Sequence, residues 1–325
     1  MQTLYEFGIQ FIVGLQAQGE WLKIPMQIFS FLGTEEFYMI LLPLLYWCLD
    51  SGLGLRVAVI LMTSGLVNSG FKMLFHQPRP YWVSSEVTRF AEETSFGVPS
   101  GHAQNATAIW GMMAAYLRRN WVWGVAVGLM FLIGISRLYL AVHFPHDVLL
   151  GWLIGLVLLW LVLRFWEPVS GWAGRQTLPR QALFAFLGSL ALLLFPVAVY
   201  SGLKLNHWQA PTTWAAFAGD ALSLDSALTS AGTLFGLLAG VAWMERRGGF
   251  VVRGAGWQLA LRYVIGVAGV LAIRFGLRAI FPDGESLLAW SLRYVRYALI
   301  GFWVTGAAPW LFIKVRLTTS GSLIF

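Results

Sequence analysis

Three short segments between residues 72 and 147 hold the residue types able to grip an anion and to move protons. The first is Lys72-Met-Leu-Phe-His-Gln-Pro-Arg79-Pro80, where an apolar run ends on a Lys and an Arg follows seven residues later between two prolines. The second is Pro99-Ser100-Gly101-His102, directly before another apolar run. Ser100 is a good helix N-cap, and Gly101 begins the helix. The free N–H groups and positive dipole end there favour an anion, and His102 adds a proton donor. The third is Ser136-Arg137-Leu-Tyr-Leu-Ala-Val-His143-Phe-Pro145-His146-Asp147. Asp147 falls in the first turn of the helix that Pro145 opens, where negative charge is favoured. It is placed to accept an imidazole N–H from His143, which fixes the tautomer and raises the basicity of the other nitrogen. Lys72, Arg79, Arg137, the Ser100 hydroxyl and the Gly101 N–H together suit a tetrahedral oxyanion. His143 with Asp147, and His102 beside them, supply a nucleophile and a general acid. No Asp, Glu and His cluster resembles a two-metal site, so no metal and no cofactor are expected.

The elements that must position these residues are membrane helices. Of 325 residues, 11% are charged and 58% hydrophobic, against roughly 25% charged in soluble domains. That excludes a disordered chain, a nucleic-acid-binding module and an ordinary soluble enzyme. The single cysteine, Cys48, excludes an intramolecular disulfide and a cysteine-based metal site. The 17 Trp suit belts at the membrane interfaces. No positive n-region precedes Lys23, so no cleavable signal peptide is expected. Residues 3–16 read as an amphipathic helix of the kind that lies on an interface.

Nine apolar spans follow, at 22–49 (broken at Gly33-Thr34-Glu35-Glu36), 52–75, 101–117, 121–142, 147–166, 182–203, 226–244, 257–281 and 287–313. The expected fold is thus an all-α polytopic membrane protein of about nine transmembrane helices. Its expected division is an N-terminal segment 1–34, a catalytic core 35–166 and a C-terminal four-helix extension 167–325. GTLFG, running from Gly232 to Gly236 and on towards Gly240, and the pair Gly151/Gly155 offer small-residue faces for close helix packing.

Charge orients the spans. Alternation places Arg56, Arg118, Arg119, Arg164, Arg175, Arg180, Arg246, Arg247, Arg253, Lys314 and Arg316 on one side, with only Asp50, Glu167 and Glu245 as acids. The other side holds the remaining acids and Lys23, Arg79, Arg89 and Lys204. The positive-inside rule makes the basic side cytoplasmic, with the N-terminus and all three reactive segments outside and the C-terminus inside.

The combination K-x6-R-P, P-S-G-H and S-R-x5-H-x3-D resembles the type 2 phosphatidic acid phosphatase (PAP2) superfamily. Lys72, Arg79, Pro80, Pro99, Ser100, Gly101, His102, Ser136, Arg137, His143 and Asp147 all match its pattern. Within that superfamily the chain looks like the nine-span glucose-6-phosphatases, through EFGIQ (Glu6–Gln10), LFHQPRPYW (Leu74–Trp82), SRLYLAVHFPH (Ser136–His146) and GTLFG. The loop 81–98 is shorter than in the animal enzymes. The resemblance implies an integral-membrane, metal-independent phosphatase with a periplasmic or lumenal site, in a bacterial inner membrane or one like the endoplasmic reticulum. His143 would attack phosphorus to give a phosphohistidine, and Asp147 would orient it. His102 would protonate the leaving oxygen and then activate water. Lys72, Arg79, Ser100, Gly101 and Arg137 would hold the non-bridging oxygens.

Two substrate classes compete, a sugar phosphate and a lipid phosphate or diphosphate such as phosphatidate or undecaprenyl diphosphate. The expected partners are that substrate and the lipid bilayer, with no nucleic acid. A transporter or channel is the remote alternative, with intramembrane arginines lining a path. Arg274, Arg278, Arg293 and Arg296 either attract anions or pair with Asp220, Asp225, Asp283 or Glu285, and pairing is the favoured reading. His76 and His146 read as wall or supporting residues. His207, Glu92 and Glu93 read as solvated loop residues.

Overall fold

The structure is a computed structural model and describes residues 2–321. The last four residues of the expected cytoplasmic tail, 322–325, lie outside the described residues. The described residues form helices α1 (Gln2–Gln16), α2 (Lys23–Phe31), α3 (Glu35–Leu44), α4 (Ser51–Phe75), the short α5 (Pro80–Val83), α6 (Gly101–Leu117) and α7 (Asn120–Tyr139). They continue as α8 (Pro145–Gly174), α9 (Leu178–Leu205), α10 (Asp225–Glu245), α11 (Gly256–Ile280), α12 (Leu287–Phe302) and α13 (Ala308–Lys314). No strand occurs among the described residues.

Seven helical segments among the described residues are long and apolar enough to cross a bilayer, beginning at Ser51, Asn120, Pro145, Leu178, Asp225, Gly256 and Leu287. The pair Glu20–Phe31 and Glu35–Leu49, bent by 49°, makes an eighth if it is one span. This is the segment whose sequence breaks at Gly33-Thr34. The ninth expected span is α6, whose 17 residues reach ~26 Å at 1.5 Å per residue, at the short end of what crosses the roughly 30 Å hydrocarbon layer. Large apolar side chains stand exposed along the spans, such as Leu153 and Trp160 of α8, Leu194 of α9 and Val264 of α11. In water such surface would aggregate, whereas in lipid it is solvated.

Two compact units divide the chain. The first comprises Met1–Tyr38, Val67–Leu161 and Phe195–Leu224. In it α7 packs against α1, α2 and α6. α1 buries Ile9 and Ile12 against Val87, Ala141 and Phe144, while Phe7 and Phe11 on its other face are exposed. Ser100 caps α6 by accepting the Ala103 N–H at 3.4 Å. Gly151 and Gly155 bring α8 onto α6: a Cβ on either would fall 2.6 Å from the carbonyl oxygen of Ser100 or of Gln104. The expected small-residue contact is therefore backbone-to-backbone.

The second unit comprises Met39–Leu66, Val162–Leu194 and Asp225–Phe325. Here α10 lies along α12, and Gly232 and Gly236 press on the carbonyls of Tyr294 and Ala298. Arg262 is fully buried, with no carboxylate partner among the described residues. It donates to the carbonyls of Leu317 (2.7 Å), Val252 (2.5 Å) and Arg253 (3.2 Å), stapling two irregular segments together. Of the four arginines read as pairing, Arg293 pairs with Asp225 at 2.7 Å, whereas Arg274 donates to Met39 Sδ at 3.2 Å and Arg296 lies over the Tyr297 ring at 5.3 Å.

Candidate active site

The reactive segments all belong to the first unit and meet through direct contacts. Lys72 lies in the last turn of α4. That helix ends at His76, whose φ of 37° reverses the chain. Gln77 and Pro78 then deliver Arg79 to the start of α5, with Pro80 at the first helical position. The returning loop 84–98 folds over this corner. Lys72 Nζ donates to the Phe96 carbonyl at 2.5 Å, and Arg79 NH2 donates to the same oxygen at 3.2 Å. Arg79 is fully buried, and its Nε also holds the Ser95 carbonyl at 2.7 Å.

Arg79 NH1 donates to the Val142 carbonyl at 2.8 Å and lies 3.2 Å from His143 Nε2. A guanidinium can only donate, so Nε2 carries the lone pair and Nδ1 carries the proton. Nδ1 lies 3.2 Å from Asp147 Oδ2, one helical turn further on. The same oxygen accepts the Phe144 N–H at 2.9 Å, and His146 Nε2 lies 3.1 Å from Oδ1. His146 thus lies beside the carboxylate without a hydrogen bond to it, as Oδ1 has no hydrogen-bond partner among the described residues. His143 is 1% exposed. Burial, then the charges of Arg79, Lys72 and Arg137, push its imidazole well below the ordinary value and keep it neutral. The Ser100 N–H donates to the Asp147 carbonyl at 3.0 Å, tying the start of α6 to the start of α8.

His102 sits in the first turn of α6, beside Gly33. It is near enough to His143 and Arg137 to interact electrostatically. Its Nε2 is buried with no hydrogen-bond partner among the described residues. The Ser100 hydroxyl keeps its own proton to donate, and the Gly101 N–H lies among the first-turn groups that lack an intrahelical partner. The structure thus brings together Lys72, Arg79, Ser100, Gly101, His102, Arg137, His143 and Asp147. Among the described residues, no group of three or more His, Cys, Asp or Glu is placed to hold a metal ion.

Glu93 departs from expectation. It is not a solvated loop residue: its Oε1 pairs with Arg137 NH2, and its Oε2 lies 3.9 Å from Arg79 NH2. Burial favours the neutral acid, but Arg137 and Arg79 outweigh it and lower the carboxyl to about 2. Its neighbour Glu92 stays exposed, pairing with Arg89 at 2.9 Å. An acid nine residues before His102 carries no local signal that its loop folds back onto the bases. Ser30 of α2, which accepts from Arg137 NH1, and Asn68, which donates to Gln104 Oε1 at 2.9 Å, also escaped the sequence reading. Tyr5 did too: its ring stacks on Phe144 at 5.0 Å and its hydroxyl bonds Gln77. Beside the loop, Trp208 meets Phe96 and His76, and Trp214 and Phe217 meet Trp82. His76 is thus a wall residue, while His207 is exposed, as read from sequence.

Comparison with known proteins gives the family of the chain. The model of the PAP2 superfamily matches residues 53–169, and that of the PAP2 superfamily phosphatase transmembrane extension matches residues 228–320. Phosphatidylglycerophosphatase B of Bacillus subtilis (strain 168) is 32% identical over 167 residues, 46% of this chain and 78% of the relative. Glucose-6-phosphatase 3 of Bos taurus is 28% identical over 233 residues, 64% of this chain; the chain spans 62% of that relative's length. The crystal structure of the transmembrane PAP2 type phosphatidylglycerolphosphate phosphatase from Bacillus subtilis is similar at a TM-score of 0.44 and 28% identity, covering 52% of this chain and 87% of that one. The chain belongs to the PAP2 superfamily and is a multi-pass membrane phosphatase of that family, close to the glucose-6-phosphatases.

Proposed function

We propose that the chain hydrolyses a phosphate monoester through a phosphohistidine on His143, at a site facing the non-cytoplasmic side. The carrying observation is the lone pair of His143 Nε2, fixed by Asp147 on one side and aimed into the guanidinium cluster on the other. Substrate phosphate binds Lys72, Arg79, Arg137, the Ser100 hydroxyl and the Gly101 N–H, which neutralise its charge. His143 Nε2 attacks phosphorus in line, and the N–P bond forms as the ester P–O bond breaks. Asp147 stabilises the cationic ring. Protonated His102 gives its Nε2 proton to the departing alkoxide. Neutral His102 then takes a proton from water, whose oxygen attacks phosphorus. The N–P bond breaks, phosphate leaves and both histidines regain their starting states. The charge asymmetry between loops supports the outward-facing orientation.

A sugar phosphate is the favoured substrate class. The alignment with glucose-6-phosphatase 3 covers 64% of this chain, whereas that with phosphatidylglycerophosphatase B covers 46%. The higher identity of the latter, 32% against 28%, supports a lipid phosphate as the second reading. Phosphate release from glucose 6-phosphate, phosphatidate and undecaprenyl diphosphate separates the classes. Glucose 6-phosphate is expected to have the highest kcat/KM. A preference for either lipid reverses the substrate assignment, and release from none of a broad monoester panel overturns the phosphatase reading.

A further inference from the structure

Glu93 occupies the place where an anion belongs. Two of the bases that would hold substrate phosphate, Arg137 and Arg79, are already paired with its carboxylate. It is 28% exposed, and is held as the charged form by those bases. Its backbone is pinned as well. The Tyr81 hydroxyl donates to the Glu93 carbonyl at 2.9 Å and accepts the Glu93 N–H at 3.1 Å. The side chain is therefore the part free to move.

Resting on the phosphatase reading above, we propose that Glu93 is a built-in competitor for the phosphate site, which substrate phosphate must displace, and that it raises the affinity any anion needs in order to enter. Charge bookkeeping gives the reason. Lys72, Arg79, Arg137 and the protonated His102 of the proposed mechanism supply four positive charges. Asp147 and Glu93 supply two negative ones. When Glu93 swings out, three positive charges are left over: two balance a phosphate monoester dianion, and the third is the His102 proton that leaves with the alkoxide. A monoanion such as chloride or a phosphodiester headgroup would only replace one single charge by another. Such ions are abundant at a membrane surface, and Glu93 keeps them from filling the site.

An internal competitor divides the affinity of every ligand by the same factor, the fraction of time the site stands open. The full chain in detergent should therefore bind inorganic phosphate and vanadate more tightly as Glu93→Gln, each by about tenfold or more if the carboxylate occupies the site at least nine-tenths of the time. Chloride should inhibit the variant at concentrations the wild type tolerates. Unchanged or weaker binding of both oxyanions in the variant overturns the inference. If Glu93→Gln does not fold, the shorter carboxylate of Glu93→Asp decides: tighter vanadate binding than in the wild type supports the inference, and equal or weaker binding overturns it. A wild-type chain that neither binds vanadate nor releases phosphate defeats the underlying phosphatase reading instead.

Discussion

Arg79 NH1 lies 3.2 Å from His143 Nε2, and this one contact fixes the chemistry of both residues. Because arginine has no lone pair to offer, the imidazole must present its own, and the proton must sit on the Asp147 side. The proposed nucleophile is thus set before substrate arrives. The same guanidinium stands where, in the proposed mechanism, negative charge develops as phosphorus is attacked.

Asp147→Asn removes the carboxylate that holds the Nδ1 proton and, in the proposed mechanism, stabilises the cationic ring. kcat should fall by about 10²–10⁴-fold, the usual worth of acid–base assistance. Helical content should stay that of the wild type by circular dichroism. A variant within threefold of wild-type kcat would show that the Asp147 charge does not assist His143.

His102→Asn removes the proposed proton donor. Substrates with a poor leaving group, such as a sugar alkoxide, should lose about 10²–10⁴-fold in kcat. A good leaving group such as p-nitrophenolate should lose far less in the first step. Equal losses for both would argue against leaving-group protonation.

Tyr5 braces the site from α1 by stacking on Phe144, whose N–H holds Asp147. Tyr5→Ala should lower kcat by roughly tenfold with little change in KM, as expected when about 1.4 kcal/mol of positioning is lost. Tyr5→Phe keeps the stack and should recover most of the rate. Failure of Phe to rescue would place the effect on the hydroxyl and Gln77.

Gly155→Val forces side-chain atoms against the Gln104 carbonyl, which a Cβ alone would approach at 2.6 Å. Overpacking of this kind costs about 1–3 kcal/mol, so thermal unfolding should shift down by several degrees. Gly171→Val in the same helix, where a Cβ meets nothing within 4 Å, serves as control.

The pH dependence of stability carries a signature of Glu93. Its folded value of about 2 lies below the ordinary 4.5, so its contribution is complete above about 4.5 and is lost as pH falls towards 2. The wild type should therefore lose Tm between pH 5 and pH 3 more steeply than Glu93→Gln. Parallel curves would show that the ion pairs do not contribute to stability.

Much of this site was legible in the sequence because its chemistry is local. His143 and Asp147 are one helical turn apart, and Ser100-Gly101-His102 is a cap with its first turn, so spacing alone implies geometry. Lys72 and Arg79 flank a proline-bounded corner and could be placed for the same reason. Glu93, Ser30 and Tyr5 were hidden because each reaches the site through a fold-back between segments 44 to 139 residues apart. Spacing within a segment says nothing about such contacts. The spans were visible as apolar runs, yet α6 shows the limit of counting them. Its seventeen residues stand at the short end of the lengths that cross a bilayer, so apolar length alone does not settle it.

The central claim is a covalent phosphohistidine on His143. Acid-free quenching of the enzyme during turnover of a ³²P-labelled monoester tests it directly. Label should appear on the wild-type protein, lost in acid and stable in base as expected of a phosphorus–nitrogen bond, and mapping to His143. His143→Ala should carry no label and release no phosphate. Steady hydrolysis by His143→Ala, or label on any other residue, would contradict the account.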